Sequence, residues 1–449
     1  MIKTSLIEKM KNKLGIDISS VLLPVKEIDM QRWAVVACDQ YTSEPEYWND
    51  VDRFVGESPS TLRLIFPEAF LESETEAEKA ARINGINDSM TAYLNDNLLN
   101  EHEHSIILVE RTFKSGVKRH GLMMAVDLER YDFSKGSQSL IRATEGTIID
   151  RLPPRIRIRE NAQLEVPHIM VLIDDADKTV IEPLSTKIDA FEEVYSFDLM
   201  KQSGSIKGWK ISDESLIDNL TDSLIKLADN ENFKSRYKVN DDYGVLLFAV
   251  GDGNHSLATA KACWENIKKS KSAIELKDHP ARYALVEIVN VHDSGLVFEP
   301  IHRVVFNVNS KHMFDSFISY YKNQGCNVDI TYGSNKPNTP GHAIKFVTAE
   351  SEGYLTVECP LYNLDVGTLQ NFLDQYLKNN SQVGIDYVHG EDVTEKLGKQ
   401  PGNIGFFLST MDKNELFKTV ILDGALPRKT FSMGEASEKR FYLEVRKIK

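Results

Sequence analysis

The chain has 449 residues, 41% hydrophobic and 27% charged, with a formal net charge of −14. That length supports two or three domains around a sizeable core. The acidic balance disfavours a nucleic-acid partner, because it repels a phosphate backbone. The four cysteines, Cys38, Cys263, Cys326 and Cys359, form no C-x-x-C pair, which argues against a zinc ribbon or a thioredoxin-type site. No apolar run has signal-peptide or membrane-spanning length, so a cytoplasmic protein with no membrane partner is expected.

Residues 1–20 predict a short helix closed by Gly15, and Val21–Pro24 and Trp33–Cys38 read as apolar strands. A polar loop follows from Asp39 to Pro45. Asp39 and Tyr41 are candidate substrate contacts there, although ordinary turn residues look the same. Thr61–Phe66 predicts another strand, Glu72–Leu99 a long helix, and Ser105–Arg111 with Gly121–Leu128 a strand pair. Arg142, Arg151, Arg155, Arg157 and Arg159 then concentrate planar cations suited to phosphate or carboxylate, with Glu145 among them. Alternation of Arg155, Arg157 and Arg159 predicts one face of a strand; the competing reading is a basic surface neutralised by nearby acids. Val166–Asp175 predicts a buried strand whose His168 reads as a core histidine, and Ser212–Asn230 an amphipathic helix.

The central stretch is Val245 to Lys269. Val245–Val250 is wholly apolar and predicts a buried strand, and Leu257, Ala260, Cys263, Trp264 and Ile267 recur at helical spacing. Between them lie Gly251, Asp252, Gly253, Asn254, His255 and Ser256, with Asn254 or Ser256 as candidate caps. A strand feeding a helix through such a turn collects backbone N–H groups and a dipole end where an anion can sit. The glycines permit close backbone approach. Asp252 can hold a metal ion or take a proton, and His255 can donate to a phosphoryl oxygen or shuttle a proton. The plain alternative is a linking turn satisfied by its own Asp and Asn.

Tyr283–Val291 predicts a further strand, and His302 and Arg303 precede Val304–Phe306. Arg303 suits either an anion clamp or an internal salt bridge. Beyond residue 310, helices and strands alternate as a separate α/β layer. P-loop, Rossmann, H-E-x-x-H and G-x-S-x-G motifs are absent, so any phosphate cradle must be of another kind.

In order, the segments ACDQYTSEPEYW, TLRLIFPE, ATEGTIIDR, EVPHIM, GDGNHSLATA, FEPIHRVV and LPRKTFS resemble a broad bacterial and archaeal family, the domain of unknown function 1015. Its members have been labelled ParB-like partition proteins. The resemblance covers nearly the whole chain. It implies an α/β (α+β) fold with a ParB/sulfiredoxin-like mixed-sheet core at residues 105–309, flanked by α/β layers at 1–104 and 310–449. It also implies kinship with free serine kinases, whose corresponding turn reads Asp-Gly-His-His-Arg and binds nucleotide phosphates. Asp252, Gly253 and His255 match; Asn254 and Ser256 replace the first His and the Arg. Losing that Arg moves the phosphate clamp to Arg303, Arg151 or Arg155. Glu145 matches an acid of the family, and Asp39 and Tyr41 match its Pro-Tyr-Asp loop loosely.

The expected function is a small-molecule phosphotransferase using ATP or ADP with Mg2+, acting on serine or a similar hydroxy metabolite. Asp252, His255 and Glu145 would be catalytic, with Asp252 on the metal. Gly251, Gly253, Asn254, Ser256, Arg151, Arg155 and Arg303 would bind the nucleotide, and Asp39, Tyr41 and His302 the substrate. A phosphoserine phosphatase, a ParB-like nucleotide switch and a non-catalytic metabolite-binding protein are the alternatives, and a homodimer is left open.

Overall fold

The computed structural model describes residues 2–449. It is a mixed α/β structure that divides into two compact units: one from the N-terminus to Leu296 together with Glu435–Lys449, the other Val297–Gly434.

The first unit is built on one large mixed sheet. Its strands run Glu192–Asp198, Ser205–Ile211, Ile106–Thr112, Lys118–Asp127, Tyr283–Asn290, Met170–Ile173, Phe248–Asp252, Ile141–Ala143 and Tyr131–Asp132 across the sheet, and Ile16–Asp17 pairs with Lys118–Asp127. Tyr283–Asn290 is buried along its whole length because both faces of the sheet are covered. Side chains alternate between two cores, as strand geometry requires. Ile106, Leu108, Leu122 and Met124 pack with Leu6, Leu220, Leu257 and Trp264. Ile107, Val109, Met123 and Leu285 pack with Trp33, Trp48, Met90 and the C-terminal Tyr442, Leu443 and Val445. The helices Glu214–Leu227 and Asn254–Lys268 therefore cover one face; Pro45–Val55, Glu76–Asn95 and the C-terminal residues cover the other. Trp33 Nε1 donates to the Leu443 carbonyl at 2.9 Å, and Leu22 pairs with Val445.

Several local expectations change. Thr61–Leu64 is a 3-10 turn, not a strand, because Ser60 Oγ caps Leu62 N–H and both Ser60 and Thr61 hydroxyls donate to the Trp33 carbonyl. Of Trp33–Cys38 only Val35–Val36 is strand, paired with Phe441–Tyr442. The long helix begins at Glu76, where Thr75 and Glu78 form a capping box. The basic stretch is the helix Leu152–Arg159, since Pro153 and Pro154 occupy its first turn, where a missing N–H costs nothing. Arg155 and Arg159, four residues apart, therefore share a face, and Arg157 points away from it. Arg155 pairs with Glu68, Arg157 with Glu76 and Arg159 with Glu165, three acids from three different segments.

The second unit is an antiparallel sheet in the order Asn327–Tyr332, Glu352–Glu358, His342–Val347, Ile404–Phe407, Phe298–Phe306 and Gly384–His389, with Phe431–Met433 on Phe298–Phe306. Ser310–Lys322 and Asp365–Asn379 supply Phe314, Phe317, Leu369 and Phe372 to its core.

Candidate functional site

The central strand ends in an irregularity. Asp252 pairs with Met170 and Val250 with Val171, which leaves Gly251 as the extra residue of a bulge. Bulges re-aim side chains at sheet ends, and here the bulge delivers Asp252 to the start of the helix. Gly253 caps that helix with φ 77°, a left-handed conformation, and neither Asn254 nor Ser256 acts as the side-chain cap. A Cβ on Gly253 would meet Ile169 Cα and Cγ1 at 3.0 Å. Gly253→Val is therefore expected to cost roughly 1–3 kcal/mol in backbone strain, with an overpacking term of similar size. Chemical denaturation checks this.

Around the turn, side chains converge from distant parts of the chain. Asp252 Oδ1 accepts its neighbour Gly253 N–H at 2.9 Å, and Oδ2 lies 3.2 Å from Lys439 Nζ. Thr144 Oγ1 donates to the Val250 carbonyl at 2.6 Å, as does Asn254 Nδ2 at 3.2 Å. His255 Nε2 accepts the Ile148 N–H at 3.4 Å. The segment carrying Thr144, Glu145 and Ile148 thus lies beside the turn. Asn254 Oδ1 and Thr147 Oγ1 are buried without a hydrogen-bond partner; such atoms call for an explanation such as a ligand or water.

One turn into the helix, Ser256 Oγ is 3.3 Å from His168 Nε2. That nitrogen is also 3.7 Å from Asp39 Oδ2, and His168 Nδ1 is 2.8 Å from Tyr442 Oη. Asp39 Oδ1 accepts from Gln40 Nε2 at 2.9 Å. Burial alone would raise the Asp39 carboxyl, but the neighbouring His168 imidazole, the hydrogen bond from Gln40 and the charge of Lys439 hold it below the usual range. Cys38, Glu68, Arg155, His168, Ser256 and Tyr442 are among the groups lining a cavity of about 140 Å3 whose remaining walls are largely apolar. Burial pushes the Cys38 thiol well above its ordinary value, and it raises the Glu68 carboxyl against the pull of Arg155.

Asp39, Asp252 and Ser256 are thus brought together with His168, and Glu145, Asn254 and His255 lie alongside. Tyr41, at φ 53°, stacks on Tyr47 at 3.7 Å between ring centroids. Arg151 is exposed, and its carbonyl accepts from Arg155 Nη1 at 2.6 Å. Arg155 faces the cavity already neutralised by Glu68. His302 and Arg303 belong to the second unit. There His302 Nδ1 accepts the Leu408 N–H, and Arg303 donates to Gln370 and to the carbonyls of Ile301, Arg428 and Lys429. Their polar groups serve that unit's own interior.

Sequence reasoning missed Lys439, Tyr442 and Glu68, and it set His168 aside as core. Around Asp252, the candidate metal ligand, Oδ1 accepts from Gly253 N–H and Oδ2 faces Lys439 Nζ. Among the described residues no group of three or more His, Cys, Asp or Glu side chains is placed to hold a metal ion. No helix among them is long and apolar enough to cross a membrane.

A family model described as a protein of unknown function, DUF1015, matches residues 22–376. No curated protein matches the chain. Among solved structures the similarity is weak. A free serine kinase in complex with AMP shows 8% identity and a TM-score of 0.37, over 73% of this chain and 92% of its own. A free serine kinase variant in complex with ADP gives 9% and 0.38 over the same shares. A conserved hypothetical protein from Pyrococcus furiosus gives 10% and 0.34, over 72% of this chain and 90% of its own.

Proposed function

The chain belongs to the DUF1015 family, and from that premise we propose a small-molecule phosphotransferase: a kinase that moves a phosphoryl group from ATP or ADP to the hydroxyl of serine or a similar hydroxy metabolite. The ParB/sulfiredoxin kinship of the core is part of the same proposal.

The observation that carries this reading is the meeting of a bulged strand end, a glycine-capped helix N-terminus, one ammonium and two carboxylates. The N–H groups of the first helical turn, with Lys439, suit phosphoryl oxygens. The hydroxyl oxygen attacks the terminal phosphorus, the bond to the nucleotide's bridging oxygen breaks, and the hydroxyl proton passes to the Asp39 carboxylate. Asp39 is a weak base, so it orients the hydroxyl and receives the proton late, which suits a loose transition state. Asp252 holds Lys439 in place. Ser256 hydrogen-bonds the acceptor, while His255 and Glu145 shape the mouth beside the turn. No step is assigned to Mg2+, which enters this proposal only as an ion carried in by the nucleotide.

A thermal-shift titration tests the binding half. Free nucleotide at about 100 times its Kd is expected to stabilise the fold by about 2.7 kcal/mol, an effect that Asp252→Ala and Lys439→Met abolish. If neither ATP nor ADP raises the melting temperature, the reading fails. Phosphate release from phosphoserine without nucleotide would favour the phosphatase alternative.

A further inference from the structure

We propose that Tyr442 is a positioning residue: its hydroxyl donates to His168 Nδ1 and so fixes the imidazole as the neutral Nε2–H tautomer, a hydrogen-bond donor to Ser256 and not a base.

Proton counting supports this. Tyr442 Oη accepts the Cys38 N–H at 3.2 Å and lies 2.8 Å from His168 Nδ1. The phenol has one proton to give. The acceptors in reach are the imidazole nitrogen and the Cys38 sulfur, and a thiol sulfur is the weaker of the two. Burial keeps both the phenol and the thiol protonated. With the phenolic proton on the Nδ1 lone pair, the ring carries its own proton on Nε2. That nitrogen lies 3.3 Å from Ser256 Oγ, which accepts from it, and 3.7 Å from Asp39 Oδ2, too far for a hydrogen bond. An imidazolium would put a second N–H against Tyr442 Oη and leave the phenol only the weaker Cys38 sulfur to donate to.

The ring has little freedom to escape this arrangement. His168 is 5% and Tyr442 2% exposed, and the two rings meet edge to face at 85°. The charged groups around the imidazole are Asp39, Glu68, Arg155 and Lys439. Glu68 is paired with Arg155, and Lys439 with Asp252. The consequence for chemistry is specific. Ser256, accepting from Nε2–H, keeps its own proton and turns it toward the cavity. It is therefore a donor to an acceptor oxygen of a ligand and not an activated nucleophile. This inference stands without the phosphotransfer reading.

The test is nitrogen-detected NMR of the full chain with 15N-labelled histidine, the His168 signals being assigned by their loss in His168→Gln. In the wild type at neutral pH, the expected spectrum has an unprotonated Nδ1 well separated from a protonated Nε2. In Tyr442→Phe the two signals are expected to move toward each other as the tautomers mix. An Nδ1–H tautomer or an imidazolium in the folded wild type overturns the proposal. So does a tautomer unchanged in Tyr442→Phe, which would mean that another group sets it. If Tyr442→Phe does not fold, the wild-type spectrum with 3-fluorotyrosine at position 442 takes its place. The more acidic phenol should then shift Nδ1 further toward its hydrogen-bonded value, and no shift counts against the proposal.

Discussion

Asp39→Asn is expected to lower the rate of phosphoryl transfer by about 10²–10⁴-fold while leaving nucleotide binding nearly unchanged. The change is isosteric. It removes the carboxylate that receives the hydroxyl proton but keeps the Gln40 contact and the distance to His168. The comparison of kcat with the nucleotide Kd separates a lost proton acceptor from a distorted site. The same variant also carries a pH signature. The folded Asp39 carboxyl lies below its unfolded value, so its contribution to stability is fully present above the ordinary carboxylate range and is lost as pH falls through the folded value. Melting temperature plotted against pH on the acid side should therefore fall less steeply in Asp39→Asn than in the wild type. A wild-type rate in Asp39→Asn would remove Asp39 from the mechanism.

Arg440→Leu is expected to destabilise the first unit by roughly 3–5 kcal/mol. Arg440 Nη1 lies 2.5 Å from Glu287 Oε2, and Nη2 pairs with Glu444 Oε2. Glu287 and Glu444 are both 0% exposed, and Tyr195 Oη donates to Glu444 Oε1 at 2.6 Å. Burial would raise Glu287, but Arg440 and Arg119 hold it below the ordinary range. Leucine in place of the guanidinium would leave two buried carboxylates without their main partner, Glu287 with only Arg119 at 3.7 Å and Glu444 with only the Tyr195 hydroxyl, and the cost comes mostly from those under-paired acids. Adding Glu287→Gln and Glu444→Gln should consequently recover much of the loss, a non-additivity that urea denaturation of the single and triple variants measures. A loss below about 1 kcal/mol, the level of an exposed pair, would show that water reaches this cluster.

This cluster and the proposed site share one cause, the return of residues 435–449 to the first unit. Lys439, Arg440, Tyr442, Glu444 and Arg446 reach Asp252, Glu287, His168, Tyr195 and Glu165, in that order, across more than a hundred residues of sequence. No local pattern encodes such pairings. A run such as Arg440-Phe441-Tyr442 reads the same whether it is a tail or a strap over a buried sheet face.

What the sequence by itself determined are the features set by near neighbours. The apolar run and the glycine turn specified a strand entering a helix at residues 248–268. Leucines three and four residues apart specified the amphipathic helix found at Glu214–Leu227. The same local rules misread residues 155–159, because alternation of Arg and Ile resembles a strand while two prolines just before it start a helix. Tertiary structure alone decided which charges are spent and which are available. Arg155 is neutralised by Glu68, Arg303 is bonded within the second unit, and Lys439, unremarkable in the chain, stands beside Asp252. The physical reason is that propensity and periodicity act over one or two turns of chain, whereas an ion pair or a shared proton depends on three-dimensional distances of a few ångströms between groups that the sequence does not place together.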